Sequence, residues 1–435
     1  MTENTKKHLS PTAWLIIICA AILVGVVAFY FTYIGKQANL THDYLIYKLS
    51  WLAYLLPAVG LTLITLLRVK LFNGTEGTGI PQTIASLEME GDEDRKQVLS
   101  IKILVGKILL TTLGLFSGAS MGREGPTVQA GACVMYLSRK FVSLPQHIIQ
   151  RGLILAGGAA GIAAAFNAPI AGIVFSFEEI SRSFDKRNLG IIMAVVLVAC
   201  VVCVWLLGDY WFYGQVQAVS DVWQSWVFVP VIAVCMGLCG GYFSHIVVCV
   251  YPKVLKTMSR RPILVPMVLG LLIGFIGWLS SGLTLGTGYA EAQNMLIHGS
   301  EMQWYYAPLR MLATALTLLS GIPGGLFDPS LSAGAGFGQL FADLIHTFDW
   351  ASEVDTNLIM LIAMACFFAA VVQSPVTAVV IMVEMTDTLH ATLPMLLGAI
   401  IAYMISKRIC TCSIYVALAN NYFKDNCVNS QPRDA

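Results

Sequence analysis

Two glycine-rich stretches of this sequence are nearly copies of one another. The first is Ser117-Gly-Ala-Ser-Met-Gly-Arg-Glu-Gly-Pro-Thr-Val-Gln-Ala-Gly-Ala132 and the second is Ser320-Gly-Ile-Pro-Gly-Gly-Leu-Phe-Asp-Pro-Ser-Leu-Ser-Ala-Gly-Ala335. Aligned without a gap, they share seven of sixteen residues, where about one match is expected from average residue usage. In each, a glycine-rich bend precedes a proline and a run of small residues. This order predicts a broken segment followed by the start of a helix.

The repetition extends beyond this pair. Gly77-Thr-Gly79 recurs as Gly286-Thr-Gly288, and Ala164-Ala-Phe-Asn-Ala-Pro169 recurs as Ala370-Val-Val-Gln-Ser-Pro375. Because these landmarks keep their order at nearly the same offset, they predict two homologous halves. The predicted organisation is a short cytoplasmic N-terminus 1–11, a first membrane half-repeat 12–208, a linker 209–221, a second half-repeat 222–416 and a short cytoplasmic tail 417–435.

The composition is that of a polytopic membrane protein. Hydrophobic residues make up 57% of the chain and charged residues 12%, and the mean hydropathy is +0.73. Trp14–Ile34 is uncharged and long enough to span a bilayer core of about 30 Å, so it predicts a retained first helix. The apolar runs Leu153–Phe177 and Leu358–Val383 are each interrupted by a proline. Broken helices at membrane depth are tolerated only inside protein or beside a wet cavity.

Duplicated halves with discontinuous helices are typical of secondary transporters, whose substrate site lies where the halves meet. A helix start within the membrane exposes unpaired amide groups and the positive end of the helix dipole. The sequence therefore predicts a transporter or channel for an anion. The net charge of +1 argues against a nucleic-acid partner.

Positive residues give the expected topology. By the positive-inside rule, both termini and the loop after Glu179 are predicted to be cytoplasmic. The residues that carry this prediction are Lys6, Lys7, Arg182, Lys186, Arg187, Lys407 and Arg408.

Glu124 stands where a broken segment becomes a helix, and an ionisable group at membrane depth indicates function. As a carboxylate it can occupy the amide cradle that would hold an anion, and as an acid it can leave, which would couple proton uptake to anion entry. Alternatively, it caps the helix or pairs with Arg123. The sequence physics leaves both interpretations open.

The other candidate groups have plain structural interpretations. Glu178 and Glu179 end an apolar run, as a solvated pair beside Arg182 would. Lys107 lies within an apolar run, where it either snorkels or sets a positive potential for anions. Three further residues are interpreted as helix-end polar contacts or as an interfacial aromatic: Glu384, Asp387 and Tyr415.

Three pentapeptides now carry a family resemblance. In order, they are Gly77-Thr78-Gly79-Ile80-Pro81, Gly122-Arg123-Glu124-Gly125-Pro126 and Gly325-Leu326-Phe327-Asp328-Pro329. They resemble the three selectivity-filter signatures of the CLC family of chloride channels and chloride/proton antiporters. The resemblance covers nearly the whole chain and implies an all-α polytopic membrane fold. In that fold two inverted halves of tilted and broken helices form one pore in each subunit of a homodimer.

The resemblance also implies residue roles. Thr78, the Leu326 and Phe327 amides and the Tyr415 phenol would bind chloride. Glu124 would be the external gate that competes with chloride and accepts protons. Two more positions match family landmarks: Glu179 would be the internal proton-transfer residue, and Lys107 would lie on the anion approach.

Two positions depart from the usual signatures. Thr78 stands where the family more often has serine; its hydroxyl still donates, but the added methyl group is expected to affect selectivity or rate. Asp328 stands where an apolar residue is common, and at a first helical turn an aspartate is welcome. Because a carboxylate aimed at the anion path would repel chloride, the Asp328 side chain is expected to face away from the pore.

The sequence therefore predicts proton/chloride exchange, because both glutamates needed for coupling are present. The alternative is a passive chloride channel of the same fold, and a fluoride/proton antiporter fits Thr78 and Tyr415 less well. An enzyme is not expected, because no paired nucleophile and base and no metal-ligand motif is visible. No metal or other cofactor is expected; the ligands are chloride and protons, and the surroundings are the lipid bilayer. The chain ends soon after Tyr415, without paired cytoplasmic CBS domains, which favours a bacterial inner-membrane protein.

Overall fold

Helices joined by short turns make up the computed structural model, which describes residues 10–89, 91–141, 146–183, 188–208, 211–218 and 223–422. The first nine helices are α1 Pro11–Leu49, α2 Leu56–Lys70, α3 Ile80–Glu88, α4 Asp92–Val98, α5 Ile101–Phe116, α6 Glu124–Ser138, α7 Gln146–Phe166, α8 Pro169–Phe175 and α9 Leu189–Leu207. The next nine are α10 Trp223–Arg260, α11 Leu264–Leu279, α12 Tyr289–His298, α13 Tyr306–Leu319, α14 Phe327–Ile345, α15 Thr356–Val372, α16 Pro375–Thr386, α17 Thr392–Ile409 and α18 Ile414–Ala419. Several residues used for the predictions lie outside the described residues: Lys6, Lys7, Lys186, Arg187 and parts of 1–11, 209–221 and 417–435.

Six helices of the described chain are long and apolar enough to cross a membrane, which confirms a multi-pass membrane protein. The first of them runs over Pro11–Leu49, well beyond the predicted Trp14–Ile34, because no proline or glycine pair interrupts it after Ile34. The predicted interruptions of the two longest apolar runs are confirmed. They fall at Asn167 and Gln373, which take positive φ angles of 54° and 61° between α7 and α8 and between α15 and α16.

How deeply each apolar helix is buried depends on the helices that pack against it. In α15, every residue from Leu358 to Val372 is buried, as expected for a helix that is hydrophobic on all sides and lies in the centre of the protein. The equally apolar α9 exposes Val201 and Trp205, with 66% and 82% of their surface free. An exposed apolar helix face of this kind fits a lipid environment and would be unstable in water.

The two halves meet in contacts that occur in symmetric pairs. Gly122 and Gly325 exchange both backbone hydrogen bonds, at 2.8 and 2.6 Å, in one antiparallel bridge. The Met121 amide donates to the Gly286 carbonyl at 3.3 Å, and the Gly324 amide donates to the Gly77 carbonyl at 3.4 Å. The second contact is the repeat copy of the first, because Gly324 is the equivalent of Met121 and Gly77 is the equivalent of Gly286, as an inverted repeat requires.

A second symmetric contact joins α8 and α16. The Glu178 carboxylate accepts from the amides of Val376 and Thr377 at the start of α16. The Glu384 carboxylate accepts from the amides of Ile170 and Ala171 at the start of α8. The C-terminal end of each helix therefore lies at the N-terminal end of the other, and the helices are antiparallel. The order of helices is that of a duplicated chain, while the boundaries 12–208 and 222–416 stay a prediction.

The close packing of α6 on α7 depends on glycine and can be tested there. A Cβ added at Gly157 would lie 2.3 Å from the Gly131 carbonyl oxygen, whereas one added at Gly190 would meet nothing within 4 Å. We expect Gly157→Ala to destabilise the protein by about 1–3 kcal/mol and Gly190→Ala to leave stability unchanged. The measurement is the thermal unfolding midpoint in detergent. Equal midpoints for the two variants would contradict this packing.

Candidate functional site

Four helix N-termini point toward one buried region of the protein. Thr78 and the N-cap Gly79 lead into α3, Glu124 begins α6, and Phe327 begins α14. The fourth helix, α18, carries Tyr415 in its first turn. Gly79 has a φ of 95°, a left-handed conformation that favours glycine. Each helix start contributes amide groups without intrahelical partners and a partial positive charge.

Direct contacts hold these helix starts together. The Gly122–Gly325 bridge joins the segments that enter α6 and α14. A Cβ on Gly125 would lie only 2.6 Å from the Thr78 carbonyl oxygen, so α6 begins against the α3 signature. The rings of Phe327 and Tyr415 stack with centroids 6.3 Å apart, which places α18 against α14. The three predicted filter signatures and Tyr415 are therefore brought together.

Thr78 and Tyr415 each present a hydroxyl group that the surrounding protein leaves unsatisfied. Both residues are fully buried, and neither hydroxyl has a hydrogen-bond partner among the described residues. The interpretation of Tyr415 as an interfacial aromatic is wrong, because its ring lies against Phe327 in the protein interior. Buried hydroxyl groups are nearly always hydrogen-bonded, so two orphaned donors at four helix N-termini indicate a site for an acceptor such as an anion.

Glu124 lies in the crevice between the two filter glycines. It is fully buried, and its carboxylate oxygens meet no hydrogen-bond donor within the described ranges. A Cβ on Gly122 would lie 2.0 Å from Glu124 Oε2, and one on Gly325 would lie 3.3 Å from the same oxygen. Arg123 Nε is 4.0 Å from Glu124 Oε1, which is too long for a hydrogen bond. The geometry therefore excludes a hydrogen-bonded pair with Arg123 and leaves the carboxylate beside the segments that enter α6 and α14.

Asp328 is also fully buried, and its carboxyl group interacts with Glu124 as well as with Arg123 and Arg310. The expectation that its side chain faces away from the pore is therefore wrong. The physical reason is the joint between the halves: the ideal Cβ position of Gly122 lies 3.5 Å from the Asp328 amide nitrogen, so the first turn of α14 lies beside the segment that enters α6.

Glu179 forms a second buried acidic site. It lies in a π-helical turn, Ser176–Ile180, and accepts from Ser374 Oγ at 2.9 Å and Ser413 Oγ at 2.6 Å. Arg182 Nη2 lies 3.6 Å from its carboxylate. The interpretation of Glu178 and Glu179 as a solvated pair is wrong, because Glu179 is fully buried and Glu178 caps α16. Glu384 does make the helix-end contacts expected of it, and Asp387 accepts from Gln215.

Tyr415 stands between the two acidic sites. Its phenol interacts electrostatically with both Glu124 and Glu179. Ser413, which holds Glu179, is also the N-cap of α18 and accepts from Val416 N. The carboxylate of Glu179 is thus fixed to the same short helix that presents Tyr415. Sequence reasoning missed Ser413 and Ser374, although Ser413 is only two residues before Tyr415.

Lys107 does not snorkel, because it is fully buried. Its ammonium group donates to the carbonyls of Thr75, Glu76 and Gly77 at 2.9, 3.1 and 2.8 Å. It therefore fixes the turn that precedes the first filter signature. Its repeat equivalent is Arg310, which donates to the Leu285 carbonyl at 2.9 Å before the second Gly-Thr-Gly turn. Sequence reasoning missed Arg310, which the offset of the glycine-rich stretches would have found.

A cavity of about 150 Å³ is lined in part by Thr78 of the first signature. Tyr422 Oη donates to Glu76 Oε1 at its wall, and Gln82 Nε2 donates to the Glu76 carbonyl. The cavity walls include Gly77, Pro81, Tyr251 and Leu418. The cavity therefore adjoins the residue that carries one of the two orphaned hydroxyl groups.

A sequence comparison agrees with these structural features, which are the broken helices, the three converging signatures and the inverted contacts. The family model described as voltage gated chloride channel matches residues 60–407. The chain belongs to this family. A relative named H(+)/Cl(−) exchange transporter ClcA from Vibrio campbellii is 27% identical, over 99% of this chain and 94% of its own length. A relative of the same name from Vibrio cholerae is 26% identical over the same shares of the two chains.

Solved structures agree on the fold of this chloride channel family member. A slow cyanobacterial Cl−/H+ antiporter superposes with a TM-score of 0.82 at 23% identity, covering 95% of this chain and 98% of that one. A CLC-type fluoride/proton antiporter superposes with a TM-score of 0.74 at 22% identity, covering 93% and 96%. The predicted all-α fold of CLC type with inverted repeats is confirmed.

The three hydrogen bonds that Lys107 donates predict that its removal destabilises the protein. Its position on α5 alone would not predict this effect. Lys107→Met leaves three buried carbonyls without their shared donor, and we expect it to lower the free energy of unfolding by about 1–3 kcal/mol. Lys102→Met, on the exposed side of the same helix, should have no effect. The measurement is the thermal unfolding midpoint of each purified variant. A Lys107→Met protein as stable as Lys102→Met would contradict this role.

Proposed function

We propose that this protein exchanges chloride for protons across the membrane, with Glu124 as the gate at the anion site. The observation that carries the proposal is the position of the Glu124 carboxylate, at the meeting point of α6 and α14 and without a donor in the described part of the chain. A carboxylate there occupies the place that suits a chloride ion, and protonation removes its attraction to the helix N-termini.

Chloride would bind to hydrogen-bond donors from separate helices. The Thr78 and Tyr415 hydroxyls would donate from α3 and α18, and the Leu326 and Phe327 amides would donate from the start of α14. Partial positive charges at helix ends attract an anion without a full ion pair, so binding can be favourable and release still fast. Lys107 would add positive potential on the anion approach, behind the turn that it fixes.

Protons would take a path that separates from the chloride path near Tyr415. Glu179 is buried and held by two serine hydroxyls, so its position is fixed relative to the anion site. A buried carboxyl that loses and regains a proton can relay protons between solvent and Glu124. The relatives named H(+)/Cl(−) exchange transporter ClcA, which match nearly the whole chain at 26–27% identity, support this assignment.

The remaining parts of the proposal concern the assembly and the membrane. We infer a homodimer with one pore in each subunit, located in a bacterial inner membrane with both termini cytoplasmic. The positive residues Lys407 and Arg408 at the end of α17 support this orientation. No cofactor takes part in the proposed exchange.

Coupled transport can be measured in liposomes that carry the purified protein under a chloride gradient. An external pH electrode should record protons driven uphill by chloride. Glu179→Gln should abolish proton movement while chloride still passes, because the relay group is lost but the anion site remains. Glu178→Gln provides the matched control: this neighbouring carboxylate caps α16, so the variant should keep coupling. Chloride flux without protons in the wild type would make the protein a passive channel.

Chloride binding tests the two orphaned hydroxyl groups separately. Thr78→Val and Tyr415→Phe each remove one donor with little change in shape. A hydrogen bond to a charged group contributes about 1.5–3 kcal/mol, so each change should weaken chloride binding about 10- to 150-fold. Titration calorimetry measures the affinity, with Tyr403→Phe on α17 as the control. Unchanged affinity in both variants would place the anion site elsewhere.

A further inference from the structure

Asp328 and Glu124 form a pair of buried acids at the outer gate. Both side chains are fully buried, and the two carboxyl groups interact with one another. The Gly122–Gly325 bridge fixes their helices, and the ideal Cβ position of Gly122 lies 2.0 Å from Glu124 Oε2 and 3.5 Å from the Asp328 amide nitrogen. The two acids therefore stand across the joint between the halves.

A helix-capping role does not account for Asp328. In α14 the N-cap residue is Leu326, and it makes no side-chain cap hydrogen bond. Neither Asp328 carboxylate oxygen meets a hydrogen-bond donor in the described part of the chain. An aspartate retained only for the helix start would be expected to bond the free amides of its first turn.

The cations that face this pair of acids form no hydrogen bond with either carboxylate in the described part of the chain. The cations that face the pair are Arg123 and Arg310. Arg123 Nη1 is engaged by the Thr32 carbonyl, and Arg310 Nη1 by the Leu285 carbonyl. The remaining titratable groups that face Asp328 are the phenols of Tyr213 and Tyr289, which are neutral at physiological pH.

Two carboxylates this close in a dry interior repel strongly, and such pairs bind one proton between them. We propose that Asp328 and Glu124 share a proton, so that Asp328 is a second proton-carrying residue of the gate. This inference rests on the proposed function for its role in transport. In the closed state, Asp328 holds the proton and Glu124 is the carboxylate in the anion site.

The step is a simple transfer between two acids. The O–H bond of Asp328 breaks and an O–H bond forms on Glu124, so Asp328 becomes the carboxylate and Glu124 the neutral acid. Glu124 then leaves the amide cradle and chloride enters. A second proton from the outer solution restores Asp328. This second proton prevents the transfer back to Asp328, so the gate stays open only after a proton is taken up from the outer solution. The pair therefore binds two protons in two steps, where a lone glutamate would bind one.

The test is chloride flux in liposomes as a function of external pH. The wild type should show a broad acid activation in two steps. Asp328→Asn keeps the shape but holds no proton, so activation should become a single step, with its midpoint lower by about one pH unit or more. Asp328→Ala should behave the same way if the asparagine variant folds poorly. Asp343→Asn, on the exposed side of the same helix, should match the wild type.

Two results would overturn the pairing. One is a pH profile unchanged in Asp328→Asn, which would leave Asp328 a structural residue. The other is tighter chloride binding in that variant with the same pH profile, which would leave Asp328 a fixed charge that repels the anion.

Infrared titration of the purified protein provides a readout that does not depend on transport. A protonated carboxyl gives a C=O stretching band, and the shared proton should give one that shifts or disappears in both Asp328→Asn and Glu124→Gln. If the wild type shows no chloride flux, the proposed function is wrong. The infrared bands would still show whether Asp328 and Glu124 share a proton. Bands that change in only one of the two variants would show that the acids titrate independently.

Discussion

The exchange of two hydrogen bonds between Gly122 and Gly325 is the contact on which the rest of the site depends. It joins the segments that enter α6 and α14, so two helix N-termini face one another inside the membrane fold. Both positions favour glycine: a Cβ on Gly122 would lie 2.0 Å from Glu124 Oε2, and one on Gly325 would lie 3.1 Å from the Gly125 amide nitrogen. The glycine-rich signatures are therefore explained by close packing at the joint of the halves as much as by anion binding.

Several polar groups buried at this joint have no hydrogen-bond partner in the described part of the chain. The Thr78 and Tyr415 hydroxyls, both oxygens of Glu124 and both oxygens of Asp328 share this property among the described residues. Leaving such groups unpaired is costly, and a fold keeps them where a ligand or a proton completes the set. By contrast, Lys107 is fully bonded to three carbonyls, and its charge is used to shape a turn.

Glu178 and Glu179 are adjacent in the sequence but make different contacts in the fold. Glu178 caps α16, and its repeat equivalent Glu384 caps α8, so this pair holds the two halves together. Glu179 has no equivalent acid in the second half, where Met385 follows Glu384. Its carboxylate instead turns toward Ser374 and Ser413. The residue that breaks the symmetry is the one available for a directional step such as proton transfer.

The sequence by itself determined the membrane class, the duplication, the interruption of the apolar runs Leu153–Phe177 and Leu358–Val383, and the family. These follow from composition, spacing and glycine–proline order, which are local properties of the chain. The length of α1, the burial of Glu179 and the direction of Asp328 were decided only by the tertiary structure. Each depends on what packs against the residue from a distant segment: Ser374 and Ser413 around Glu179, and α6 opposite Asp328. A linear pattern gives residue types and intervals, and the contacts across the joint between the halves determine which of those residues are left without a partner.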